Sequence, residues 1–357
     1  QCYVTTIRSA ICVRCPPRWL MLRVETDDGE VGWGEAIGDL HQEVEKALNA
    51  IGERVEGSPI HDIAHLIEIQ RKNRFWRDGP VLETALSALE MALWDLKGKL
   101  LGAPIHDLLG GRVRERVRVY RNLWGRNPDE FADSAKEAIS NSMTAVKVSP
   151  AGPTPDVISR VQLDEMEAVV SAVRDAVGPA VDLAIDLHGR LTPAASRRAI
   201  HALSKYDPFF IEEPCLPDGS ASHLADLRAL RTAQPVSIAT GERLRSAHAF
   251  AEHLLPSPVI DIIQPDVSMV GGIRASVEIG AMASAAQVAM APHCPYGPVQ
   301  FAASMQVAAT SPAHLIQEFQ SLGGAGSGGG TPGGGQNWAF ELLSRPFAIE
   351  SGHVEIS

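Results

Sequence analysis

Val181-Asp-Leu-Ala-Ile-Asp186, Phe209-Phe-Ile-Glu212, Val236-Ser-Ile-Ala-Thr-Gly-Glu242, Val259-Ile-Asp-Ile-Ile-Gln-Pro-Asp266, Val288-Ala-Met-Ala-Pro-His293 and His314-Leu-Ile-Gln-Glu318 are six short apolar runs, each closed by an ionisable residue. The closing residues follow one another at intervals of 24 to 30 positions, about one strand plus one helix. Such runs, separated by helix-length segments, predict successive parallel strands of a (β/α) barrel. Catalytic groups of these barrels stand where the strands end, so six ionisable groups are expected at one mouth.

Upstream, Arg116-Val-Arg-Val-Tyr120 and Ala145-Val-Lys147-Val148 supply the first two barrel strands. Residues 1–115 are different. Trp19–Thr26 alternates, Asp27-Asp28-Gly29 makes a turn and Val31-Gly-Trp-Gly-Glu35 returns, the pattern of an antiparallel sheet. Helices are expected from His41 to Gly57, from Ser58-Pro59 to about Arg74, and from Val81 to Leu101, whose leucines step along one face. The reading is therefore an α+β capping domain (1–115), a barrel (116–320), and a tail (321–357). In the tail, a glycine-rich run at 323–335 is expected to form a flexible loop, and the closing segment to return to the cap's sheet.

The chain has 357 residues, 45% hydrophobic and 21% charged, as expected for a soluble enzyme. A net charge of −11 offers no basic field for nucleic acid. No apolar stretch is long enough to cross a membrane and no signal-peptide core is visible, so a cytoplasmic protein is expected. Five scattered cysteines suit reduced thiols; Cys12-x-x-Cys15 reads as a loop between strands.

Asp186, Glu212 and Glu242 on three consecutive strands would repel one another. A hard divalent cation such as Mg²⁺ resolves that conflict, because carboxylate oxygens are its preferred ligands; salt-bridged strand ends are the alternative. His188, two residues beyond Asp186, is expected on the same side of its strand. Asp266 and His293 end neighbouring strands, and a carboxylate on one imidazole nitrogen leaves the other to take a proton; a buried structural pair is the plainer option. Glu318, one strand on, could share a proton with a substrate oxygen. Lys147 and Arg190 are candidates for an anionic substrate or are ordinary strand-end charges. A cation that holds a carboxylate, with a base beside it, is an arrangement for removing the proton α to that carboxylate.

These motifs carry a resemblance. Asp186-Leu-His188-Gly189-Arg190, Phe210-Ile-Glu212-Glu213-Pro214, Gly241-Glu242-Arg243, Ile263-Gln-Pro-Asp266, Gly271-Gly272-Ile273 and Ala291-Pro-His293-Cys-Pro-Tyr-Gly-Pro298 resemble the mandelate racemase subgroup of the enolase superfamily, and within it the galactonate dehydratases. Val31-Gly-Trp-Gly-Glu35 and Ala92-Leu-Trp-Asp-Leu-Lys-Gly98 extend the likeness over the N-terminal region. Lys or His bases beside Mg²⁺ are that superfamily's own pattern. The resemblance implies a modified (β/α)7β TIM barrel under an α+β cap, acting on a small acid sugar, and a homo-oligomer. It implies Asp186, Glu212 and Glu242 as Mg²⁺ ligands, His293 with Asp266 as the base, His188 as the acid and Glu318 as the group that stabilises the enediolate. Arg18 and Trp19 become candidate substrate contacts.

One departure is informative. Relatives with a lysine base carry Lys-x-Lys on the second barrel strand, where this chain has Lys147-Val148-Ser149. A racemase needs a base on each face of the α-carbon, and only the His293 face is equipped. The expectation is a Mg²⁺-dependent dehydratase of an aldonic acid, giving a 2-keto-3-deoxy acid. An epimerase or cycloisomerase on the same scaffold and a non-catalytic sugar-acid binder are the rivals. Ser149 stands where galactonate dehydratases usually have Asn, and the proline-rich 150–155 follows it, so the preferred sugar is left open.

Overall fold

The computed structural model describes residues 5–15, 19–37, 39–217, 220–233, 235–319 and 343–356. The expected Arg18 contact and the glycine-rich run at 323–335 lie outside the described residues.

The cap opens with an antiparallel sheet of three strands in the order β1 (Ile7–Cys15), β2 (Trp19–Thr26) and β3 (Val31–Ala36). Cys12 and Cys15 are paired residues of β1, opposite Leu22 and Trp19, which corrects the loop expected there. Helices α1 (His41–Val55), α2 (Ile63–Lys72), α3 (Pro80–Leu101) and the short α4 (Ile105–Leu108) complete the cap. Helix α2 starts later than expected, because Pro59 is drawn into a bridge with Thr6. Helix α3 is buried around most of its circumference, as a helix covered on both sides must be. Strand β3 lies directly on it: a Cβ on Gly32 would stand 2.2 Å from the Ala92 carbonyl oxygen, and one on Gly34 1.9 Å from that of Ala88. The two glycines of Gly32-Trp-Gly34 therefore set the sheet-to-helix distance, and Trp33 N–H reaches Asp95 at 2.9 Å.

From Arg116 the chain alternates. Strands β4 (Arg116–Asn122), β5 (Ala145–Val148), β6 (Asp182–Asp186), β7 (Ile211–Glu212), β8 (Ile238–Thr240), β9 (Ile262–Ile263), β10 (Ala289–Met290) and β11 (Gln317–Phe319) are interleaved with helices. These are α5 (Pro128–Ser140), α6 (Arg160–Val177), α7 (Pro193–Leu203), α8 (Ala221–Ala233), α9 (Ala247–Leu254), α10 (Ile273–Ala285) and α11 (Pro298–Thr310). Neighbouring strands pair in parallel from β10 back to β4, and β4 pairs in parallel with β11. A parallel bridge between Met290 and His314 closes the remaining gap. This is the expected (β/α)7β barrel.

The tail differs from expectation. Strand β12 (His353–Glu355) pairs antiparallel with β4 of the barrel, not with the cap's sheet. Its Val354 is buried there, and Phe347 packs edge-on against Phe301 of α11. An alternating segment finds apolar cover on either sheet, so its pattern alone does not choose between them.

Cap and barrel are joined at two helix starts. The first N–H groups of a helix have no partner inside it and carry partial positive charge. Glu90 of α3 accepts from Ile273 N at 2.7 Å and Arg274 N at 3.0 Å, at the start of α10. Glu35 of β3 accepts from Val299 N at 3.1 Å and Gln300 N at 3.0 Å, at the start of α11. Each carboxylate needs room beside a glycine: a Cβ on Gly272 would meet Glu90 at 2.0 Å, and one on Gly297 would meet Glu35 at 2.4 Å.

Gly34→Val should destabilise the protein by about 1–3 kcal/mol or more, seen as a lower urea midpoint, because β3 and α3 cannot separate without opening the cap's core. Burial pushes the Glu90 carboxyl up to about 7, against the pull of the Arg274 and Ile273 N–H groups. A carboxyl raised in the fold binds its proton more tightly there than in the unfolded chain, so its contribution to stability falls as pH rises from about 4.5 to 7. The thermal midpoint of Glu90→Gln should accordingly change less between pH 5 and pH 8 than that of the wild type.

Candidate active site

Inside the barrel a ring of apolar side chains forms a floor: Tyr120, Ala145, Ala184, Phe210, Ala239, Ile262, Ala291 and Ile316. Residues two apart on a strand face the same way. Two positions beyond the floor therefore stand Asn122, Lys147, Asp186, Glu212, His293 and Glu318. The chemical groups form the layer above the apolar one, at the C-terminal ends of the strands.

Asp186, Glu212 and Glu242 each bring a carboxylate oxygen within 4.8 Å of the others. They are 2%, 0% and 8% exposed, too enclosed for water to screen three like charges. Burial raises all three carboxyls above their ordinary range, and neighbouring carboxylates add to the shift. The donor set consists of oxygens alone, anionic and convergent, which fits a hard divalent cation.

Lys147 meets a different environment from the one expected. Its ammonium is held at 2.9 and 2.8 Å by the two oxygens of Glu212, at 3.1 Å by Glu318 and at 3.8 Å by Asp186. It also lies 5.2 Å from the centre of the Tyr120 ring. Lys147 thus serves as an internal counter-charge among the carboxylates.

His293 and Asp266 come together as expected: Nδ1 lies 2.8 Å from Asp266 Oδ2, and Nε2 faces Glu242 at 3.3 Å. Burial alone would lower the imidazole's affinity for a proton, but Glu242, Glu318 and Asp266 outweigh it and push His293 up to about 10. His188 is driven the other way, to about 4, chiefly by burial. It reaches the site by a route different from strand alternation, because β6 ends at Asp186. The chain turns there, with His188 at φ 51°, its N–H on Asp186 Oδ1 at 2.7 Å and its Nε2 3.1 Å from Asp186 Oδ2.

Glu318 is held by Asn122 Nδ2 and the Cys294 N–H, both at 2.6 Å. Burial would raise its carboxyl, but Lys147, His293 and these donors hold it down to about 2. Glu213, next to Glu212, accepts from Thr240 Oγ1, from Gly241 N at 3.2 Å and from Arg243 at 2.7 Å, tying the ends of β7 and β8 together. Arg243 also pairs with Glu242.

Arg190 is exposed and bonds the Ala151 carbonyl, while Thr154 Oγ1 donates to the Arg190 carbonyl at 2.9 Å. The proline-rich loop after β5 is thereby fastened to the loop after β6. Trp19, at the start of β2, is 8% exposed and belongs to the apolar core. Sequence reasoning passed over Asn122, Glu213 and Gln300. Asn122 was recoverable, since it lies two residues beyond Tyr120; the partners of the other two depend on strand and helix neighbours far along the chain.

Residues 5–110 match the N-terminal domain of the mandelate racemase/muconate lactonizing enzyme family, and residues 130–357 match an enolase C-terminal domain-like family. The chain is 37% identical to a D-galactonate dehydratase of Variovorax paradoxus over 87% of this chain and 80% of that one. It is 36% identical to a D-gluconate dehydratase of Thermoproteus tenax over 95% of this chain and 67% of that one. Among solved structures, an enolase from Agrobacterium radiobacter with bound Na and L-malate superposes with a TM-score of 0.86 at 26% identity, covering 98% of this chain and 89% of that one. With both domains matched and relatives at 37% identity over most of its length, this chain belongs to the mandelate racemase/muconate lactonizing enzyme family of the enolase superfamily.

Proposed function

We propose that the protein is a Mg²⁺-dependent dehydratase of an aldonic acid, with galactonate the first candidate and gluconate-like isomers next, releasing a 2-keto-3-deoxy acid. The observation that carries this reading is the convergence of Asp186, Glu212 and Glu242, with His188 beside Asp186 and the His293–Asp266 pair beside Glu242. The relatives named D-galactonate and D-gluconate dehydratase support the same substrate class.

Asp186, Glu212 and Glu242 would hold the cation. Bound there, a divalent ion supplies positive charge to the substrate's carboxylate and offsets the Glu242 charge that favours protonated His293. His293 takes the α-proton on Nε2, with Asp266 fixing Nδ1–H and steadying the imidazolium that forms. Electrons from the broken C–H bond form the C=C bond as the β-hydroxyl leaves. In its charged form, which the Glu242 carboxylate favours, His188 gives its proton to that hydroxyl, which departs as water, and the enol product becomes the keto acid. Lys147, Asn122 Nδ2 and the Cys294 N–H hold the Glu318 carboxylate in place at the edge of the site. Ser149 in place of a second lysine leaves the opposite face of the α-carbon without a base, which favours elimination over racemisation. Asn122 Oδ1 and His188 Nδ1 are buried without a hydrogen-bond partner among the described residues and suit substrate hydroxyls.

Incubation with a panel of aldonic acids and Mg²⁺ should yield α-keto acid from at least one of them; EDTA should abolish the product and added Mg²⁺ restore it. Product formation that survives thorough chelation would remove the metal assignment. Solvent deuterium in recovered substrate without keto acid would make the protein an epimerase. His293→Asn should lower turnover by about 10²–10⁴-fold while retaining sugar-acid affinity. A wild type that binds as well and turns over nothing would be a binder.

A further inference from the structure

The base pair of the site does not end at Asp266. Oδ2 of Asp266 faces His293, and Oδ1 accepts from Ser268 N at 2.7 Å and from Gln300 Nε2 at 2.8 Å. The Gln300 amide cannot turn over without loss, because its Oε1 accepts the Tyr296 N–H at 3.1 Å. Reversal would set a carbonyl against a carboxylate and an amide N–H against an N–H. Gln300 is itself a residue of the first turn of α11, and its backbone N–H is one of the two that Glu35 holds. Pro298 opens the helix without an N–H, so the cap's carboxylate serves Val299 and Gln300. Glu35, Gln300 and Asp266 are all fully buried.

We propose that Gln300 and Glu35 are positioning residues for the base: Glu35 of the cap sets the first turn of α11, that turn aims the Gln300 amide, and the amide fixes Asp266 against His293. The catalytic part of this proposal rests on the dehydratase reading; the geometric part does not. A consequence is that the imidazole is correctly aimed only when the cap is seated on the barrel. The cap is thereby part of the catalytic apparatus, independently of any contact it makes with substrate. The chain of contacts runs through backbone and amide groups with fixed donor and acceptor ends, so displacement at Glu35 is passed on to His293.

The test uses the whole protein loaded with Mg²⁺. Gln300→Leu keeps the side chain's bulk and removes the amide; it should lower kcat by about 10²-fold, the scale of a small misplacement of a catalytic group, with little change in KM. Glu35→Gln keeps an acceptor for Val299 and Gln300 and should stay close to wild type, whereas Glu35→Ala should fall towards Gln300→Leu. A readout independent of turnover is the downfield proton on His293 Nδ1, identified by its loss in His293→Asn, which should move upfield in Gln300→Leu. An unmoved resonance together with an unchanged kcat in folded Gln300→Leu overturns the proposal, as does a kcat loss that only follows a lowered thermal midpoint while the resonance stays. A wild type without turnover whose resonance still moves in Gln300→Leu would reject the dehydratase reading and leave the relay standing.

Discussion

Four carboxylates, Asp186, Glu212, Glu242 and Glu318, are buried together at one end of a barrel, and their mutual repulsion is the constraint to which the surrounding structure answers. Burying like charges is unfavourable unless each is paired and hydrogen-bonded. Lys147 supplies positive charge from within, Arg243 from the rim, and Asn122 and the Cys294 N–H hold Glu318. What remains is a net negative cluster of oxygen donors, which is the condition under which a divalent cation binds well. The same field raises His293 while burial lowers His188, so the two histidines meet the cluster with unlike affinities for a proton.

The cap answers to the same constraint at a greater distance. Glu35 and Glu90 are buried carboxylates as well; each sits on the N–H groups at the start of a barrel helix. Burial pushes both up to about 7, so the helix starts only partly offset what is lost in leaving water. Joining the two domains through helix starts, with glycines making room, gives the interface direction as well as area. That direction matters because α11 carries Gln300, and Gln300 touches Asp266.

Much of the barrel was legible because its rule is local. A side chain two residues beyond an inward-facing one also faces inward, so the ends of apolar runs name the site even where the formal strand is two residues long, as at Ile211–Glu212. His188 was placed correctly for an incorrect reason: its approach to Asp186 comes from a left-handed turn, which strand alternation does not describe. The C-terminal segment was assigned to the wrong sheet, because an alternating pattern records that one face is covered and not by what. Lys147 looked free for substrate because its three acidic partners lie 39, 65 and 171 residues along the chain.

By itself, then, the sequence determined the order of elements, the barrel class and which ionisable groups share one mouth, since these follow from hydrophobic period and strand spacing within short windows. Only the tertiary structure decided which groups bind each other: Lys147 with Glu212 and Glu318, Asn122 with Glu318, Glu35 with Gln300 and Gln300 with Asp266. Those pairings arise from closing β11 onto β4 and seating the cap on α10 and α11. Hydrogen bonds are decided by ångström-scale approach between distant segments, a distance that no local pattern encodes.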